Sequence, residues 1–221
     1  MTEAAIETAG TGRNGSGDVE AAILEAARDL LAHGGEQELS MRHVAEEVGI
    51  SATAIYHYFD GKQDLVNRVV HMGFQRFGAY LEEAMAAHPE GSLERMHALG
   101  KAYLRFALEN KAYFRVIFSL RSKTPSERPE LPEGGGYHLM RKEINAAIAA
   151  GTIRKVDPDL LSMYLWCSVH GLVTLALCGA TERSPLNCPP SPYDLYDAFR
   201  PLKVDGLRPR NSESEGKENQ E

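Results

Sequence analysis

The chain has 221 residues, 43% of them hydrophobic, and a formal net charge of −7. That is apolar material for two small domains or one large helical one. No apolar run reaches transmembrane length, and MTEAAIETAG lacks a basic region followed by an apolar one, so a cytoplasmic protein without a membrane partner is expected.

Residues 1–17 are rich in Gly, Thr and Ala and hold little bulk to bury, which predicts a disordered arm. A first helix is expected over 19–33, closed by Gly34-Gly35. In the next helix Met41, Val44, Ala45 and Val48 fall at i, i+3, i+4 and i+7, a single buried stripe. Gly49 ends it, and Ser51 stands as N-cap of a second short helix over 52–59. Two short helices joined by a Gly-containing turn form a helix-turn-helix, whose second helix enters a DNA major groove.

The faces of that second helix fit the reading. With Ile55 in the core, Phe59 lies about 40° away, while Thr53 and His57 sit nearly opposite, flanked by Tyr56 and Ala54. The outward face thus carries a hydroxyl, a phenol and an imidazole and no carboxylate, which suits phosphate oxygens and base edges. Asp60-Gly61-Lys62 opens a third helix. Lys62 falls in its first turn, where the helix dipole disfavours a cation and a phosphate would explain one.

Further helices are expected over 62–88, 92–109, 111–120, 137–150, 158–180 and 193–199. Residues 121–136, with three prolines and three glycines, read as a loop, PLNCPPSP as a linker, and 204–221 as a disordered tail. The fold class is therefore all-α, with no strand pattern and no internal repeat.

Ala26-Ala27, Leu30-Leu31, Gly35, Val44-Ala45, Val48-Gly49-Ile50-Ser51, Ile55-Tyr56-His57-Tyr58-Phe59, Lys62 and Leu65 stand at spacings that resemble the DNA-binding domain of the TetR/AcrR family of bacterial transcriptional regulators. The resemblance implies a helix-turn-helix domain over 18–77 and a larger effector-binding and dimerisation domain over 78–203. It places Arg42 and Ala52 where the family often touches bases, and Thr53 and Tyr56 at mixed base and backbone positions. Ser40, Met41, His57, Tyr58 and Lys62 fall where it commonly touches phosphates, and Ser51 opens the recognition helix. Ala54 departs from a site often held by a hydroxyl residue, and Thr53 from one often held by Gly or Pro. In the second half, Trp166, His170 and Gly171 resemble the C-terminal domain of members with a Trp, His-Gly signature.

Within 18–76 there are ten acidic residues against five basic ones. Phosphate attraction dominates non-specific affinity, so weak binding to bulk DNA is expected, with Arg42, Lys62 and Arg13 as the local cations that count. The aromatic-rich second half predicts an apolar effector pocket lined by Tyr103, Phe106, Phe114, Met163, Trp166 and His170. For each residue singly, plain core is the competing reading. The segment 158–180 is apolar nearly all round, so a second copy of the chain is expected to cover it, giving a homodimer.

Cys167, Cys178 and Cys188 are odd in number and lack metal spacing; free thiols are expected, with a Cys178–Cys188 redox pair as the alternative. No motif calls for a cofactor or a metal. A repressor that leaves a palindromic operator when an apolar effector binds is the leading expectation, and an effector-binding relative that has lost DNA binding the alternative. A hydrolase using Ser119 or Ser168 with His170 has no motif behind it.

Overall fold

The computed structural model describes residues 14–119, 135–181 and 191–207, and every regular element among them is helical. The expected arm up to residue 13, the loop segment 121–134, Cys188 and the chain beyond 207 lie outside the described residues. The chain forms two compact units, residues 1–73 with 112–121, and residues 74–111 with 122–221.

The first unit begins with α1 (Asn14–Gly34), which starts five residues before the expected 19 and so takes in the end of the predicted arm. A 3-10 turn, Gly35–Gln37, leads to α2 (Met41–Val48). Ser40 caps α2 by accepting from the His43 amide at 3.1 Å. Gly49 closes it with φ 76°, a left-handed conformation that L side chains rarely adopt, so the turn needs glycine here. Ile23, Ala27, Val44, Ile55 and Leu65 are all fully buried, which fuses α1, α2 and the start of α3 (Lys62–Ala86) into one small core.

Helix α5 (Lys111–Ser119) belongs largely to this unit, although the sequence suggested the effector domain. Two contacts explain the placement. The Arg28 guanidinium lies over the Tyr113 ring, 5.3 Å from its centroid, and Gly73 of α3 lets Ile117 approach so closely that a Cβ would stand 2.7 Å from its methyl group.

The second unit is organised around α4 (Leu93–Glu109), which packs against α6 (Gly136–Ala149), α7 (Pro158–Leu177) and α8 (Pro192–Ala198). Ser92, Asp157 and Ser191 each accept backbone N–H bonds at a helix start, as short oxygen-bearing caps do. Pro158 and Pro192 follow in the first turn, where no N–H is needed.

Glu143 of α6 is fully buried. Its carboxylate lies 3.1 Å from Arg95 Nε and accepts the Gly91 amide at 3.0 Å, tying α4 and the loop before it to α6. Midway along α4, Tyr196 fills the space left open by Gly100. A Cβ on Gly100 would stand 1.9 Å from the Tyr196 hydroxyl. The chain then continues into α9 (Arg200–Asp205), and Leu207 is buried with its carbonyl accepting from the Arg154 amide at 2.9 Å. The first residues of the span expected as a tail from 204 are therefore ordered, and Leu207 joins the core of Met96, Ile144, Ala147, Ile153 and Leu161.

Candidate nucleic-acid interface

The turn after α2 presents the strip expected to meet DNA. Ile55 and Phe59 are buried, while Ser51, Ala52, Thr53, Tyr56 and His57 are exposed and Tyr58 is half-buried. Tyr56 is 57% exposed, a large apolar ring left in solvent beside three small residues.

The expected α-helix over 52–59 is shorter and tighter than predicted: a 3-10 helix over Ala54–His57. Its bonds run from Ala54 N to Ser51 O, Tyr56 N to Thr53 O and Tyr58 N to Ile55 O, and only Phe59 N reaches the fourth carbonyl back, that of Ile55. Thr53, Ile55, Tyr56 and His57 are branched or aromatic and give the α form little intrinsic support. Ser51 Oγ still accepts the Ala54 amide at 3.1 Å, but the N-cap position of the shortened helix falls to Thr53, whose side chain makes no cap bond.

Met41 is buried, as its place in the α2 stripe predicted, so its side chain serves the core and only its main chain remains for a phosphate. Two other residues of the predicted interface, Lys62 and Arg42, have partners that the sequence reading did not name. Lys62 donates from Nζ to the Glu36 carbonyl, which pins the start of α3 to the turn after α1. Arg42 is 84% exposed, and its Nε lies 2.8 Å from Glu46 Oε1, one helical turn on. That hydrogen bond is the main reason the Arg42 guanidinium is held above its ordinary pKa. Ser40 is exposed with its hydroxyl engaged as the cap.

The second unit gathers part of the expected effector lining. Tyr103, 6% exposed, shares a 2.8 Å hydrogen bond with His170 Nδ1, and Trp166 donates to the same phenol oxygen at 3.3 Å. Burial pushes the Tyr103 hydroxyl well up and the His170 imidazole down, so both are neutral at pH 7. Phe106 is fully buried, 5.1 Å between ring centroids from Phe77, and Phe77 meets Tyr103 edge-on at 5.3 Å. Tyr80 lies edge-on to Phe106 at 5.6 Å. Phe77 and Tyr80 were missed in the sequence. Their period on α3, read together with α4, is the only signal that points to them.

Two of the six expected lining residues stand elsewhere. Phe114 is buried in the first unit against Phe118 at 4.8 Å. Met163 is 44% exposed, on the outward face of α7 with Tyr164. Cys167 and Cys178 are free and exposed on that same helix side. Among the described residues no group of His, Cys, Asp and Glu is placed to hold a metal.

The sequence model of bacterial regulatory proteins of the tetR family matches residues 23–69, and the model of the tetracyclin repressor-like C-terminal domain matches residues 96–198. An uncharacterised HTH-type transcriptional regulator of Mycobacterium tuberculosis is 28% identical over 137 residues; the match covers 62% of this chain and 62% of that relative, so under two thirds of the relative's length is spanned. The HTH-type transcriptional regulator RutR of Escherichia coli is 25% identical over 224 residues, covering 95% of this chain and 100% of RutR. Among solved structures, the regulator FadR of Bacillus subtilis in complex with stearoyl-CoA superposes with a TM-score of 0.68 at 18% identity, over 85% of this chain and 99% of FadR, a likeness of fold.

Proposed function

Because the chain belongs to the TetR family of bacterial transcriptional regulators, matched by that family's models over about two thirds of its length, we propose that it is a dimeric repressor. It binds a palindromic operator through the first unit and releases it when a small apolar molecule occupies the second. The observation that carries DNA binding is the exposed, carboxylate-free strip Ser51 to His57 on a buried Ile55–Phe59 base. A DNA duplex offers a matching row of phosphates and base edges.

Dimerisation is supported by α7. Only Leu161, Ser162, Val169, Leu172 and Val173 are buried on this 20-residue helix, while Leu160 (71%), Tyr164 (54%) and Leu175 (52%) lie open. Contrary to the expectation that no apolar run reaches transmembrane length, α7 does so by length and composition alone. A second copy of the same helix is the better cover for it, since a two-fold dimer also presents two recognition turns, which a palindromic operator requires to lie about 34–36 Å apart or a multiple of that.

Effector control is supported by the aromatic cluster Phe77, Tyr80, Tyr103 and Phe106, with Trp166 and His170 as its polar edge. FadR, of like fold, binds stearoyl-CoA. An effector acts only by favouring one spacing of the two DNA-binding units over the other. The test is electrophoretic mobility shift with the DNA upstream of the chain's own gene, followed by release with candidate apolar compounds. A chain that binds effectors but retards no duplex selected from random sequence would instead support the reading in which DNA binding is lost.

A further inference from the structure

On the solvent side of α2, acid follows base one turn later, twice: Arg42 with Glu46 at 2.8 Å, and His43 with Glu47 at 3.6 Å. Such carboxylates are out of place on a surface that approaches DNA, because each repels the phosphates. Nor does the first pair serve the fold. Arg42 and Glu46 are 84% and 60% exposed, and exposed pairs of this kind contribute little to stability.

The geometry offers another role. A guanidinium has two hydrogen-bonding edges, and Glu46 occupies the Nε position only. Both terminal Nη groups are without a partner among the described residues and form the planar fork that matches O6 and N7 of guanine. While that bond is made, Nε is fixed and the arginine samples fewer orientations before DNA arrives, and preorganisation of this kind favours the bases its fork can reach. Arg42 is the only guanidinium on α2, one residue beyond the Ser40–Met41 helix start and on the helix that packs against the 54–57 turn.

We propose that Glu46 is a specificity-determining positioning residue that holds Arg42 for bidentate reading of a guanine in the operator half-site. This rests on the DNA-binding reading above. Glu46 weakens attraction to DNA at large and, in exchange, makes the arginine selective.

The test is affinity selection from randomised duplexes with the wild-type chain, then titration of the selected duplex and of single-base variants against Glu46→Ala, Glu46→Gln, Arg42→Ala and the double variant. For wild type, one G·C pair in each half-site is expected to be preferred by about 5- to 150-fold over its replacements, the range of a good bidentate contact. Glu46→Ala flattens that preference several-fold while binding to unrelated duplex DNA tightens. Glu46→Gln, whose amide oxygen still accepts from Nε, keeps the preference but gains affinity for all sequences. Arg42→Ala abolishes the preference, and adding Glu46→Ala to it changes base choice no further. An unaltered base preference in Glu46→Ala, or additive losses in the double variant, overturns the inference while leaving the regulator reading intact. A wild-type chain that selects no sequence overturns both.

Discussion

Tyr103 of α4 and His170 of α7 are joined by a 2.8 Å hydrogen bond, and the same phenol oxygen accepts from Trp166 one turn before His170. The i, i+4 pair on α7 therefore closes on a single oxygen of α4, sixty-three and sixty-seven residues away in the chain. Tyr103 is buried, so the three groups satisfy one another where water is scarce. Removing that oxygen with Tyr103→Phe should destabilise the chain by about 1–3 kcal/mol, because Trp166 and His170 each lose a partner. Thermal unfolding and the emission of Trp166, the only tryptophan, report it; an unshifted midpoint and spectrum would show that the triad contributes nothing.

Burial alone lowers the His170 pKa below its ordinary value. The unfolded chain then binds more protons than the folded one between the lowered value and the ordinary one near 6.5. Stability is therefore fully present above about pH 6.5 and is lost as pH falls towards the lowered folded value. His170→Gln should shrink the difference in urea midpoint between pH 7.5 and pH 5. His97, lowered chiefly by burial against the opposing pull of Asp197, contributes in the same direction and keeps part of the acid sensitivity in the variant.

Two glycines separate folding from association. Gly100→Ala drives a methyl into the Tyr196 hydroxyl, whose ring is 4% exposed and stacked on His97 at 4.8 Å. A loss of about 1–3 kcal/mol is expected from such overpacking. Gly171→Ala meets nothing within 4 Å, so the single chain should gain up to about 1 kcal/mol of helix propensity. If α7 pairs with its copy, that same variant should weaken dimerisation. Sedimentation of both variants at micromolar concentration is the measurement, and a Gly171→Ala dimer as tight as wild type speaks against α7 pairing at this residue.

Tyr56→Ala should leave the melting temperature within about a degree, since surface changes are usually within ±0.5 kcal/mol, and should weaken operator binding. Lys62→Ala should do both things at once. Its ammonium donates to the Glu36 carbonyl, so about 1 kcal/mol of stability goes with it. A Lys62 variant with unchanged melting would show that this bond is not made in solution.

Arg95→Ala should be the most damaging of these changes. It strands the fully buried Glu143 carboxylate, at an expected cost of about 3–5 kcal/mol. Arg95→Met with Glu143→Leu should recover much of the loss, because neither member of an apolar pair needs a counter-charge. Urea unfolding of the single and double variants decides it.

Much of this molecule was legible from residues near one another in the chain. The helix starts near 92 and 158 could be placed because a cap and the amide it accepts from are only two or three residues apart, as at Ser92 and Asp157. Gly49 marks a stop because one backbone angle demands it. Ile55 and Phe59 inward with Thr53, Tyr56 and His57 outward follow from periodicity alone, and the spacing of these residues carried the family resemblance as well. What only the tertiary structure decided are the partners that lie far along the chain. Lys62 on the Glu36 carbonyl, Glu143 beneath Arg95, Tyr103 between Trp166 and His170, and Leu207 in the core each depend on a group that packing alone brings within reach. The 3-10 form of the recognition turn belongs with them. Local propensity there is too weak to choose between two helix types, so the choice falls to the fit of Ile55 and Phe59 in a core already closed by α1, α2 and α3.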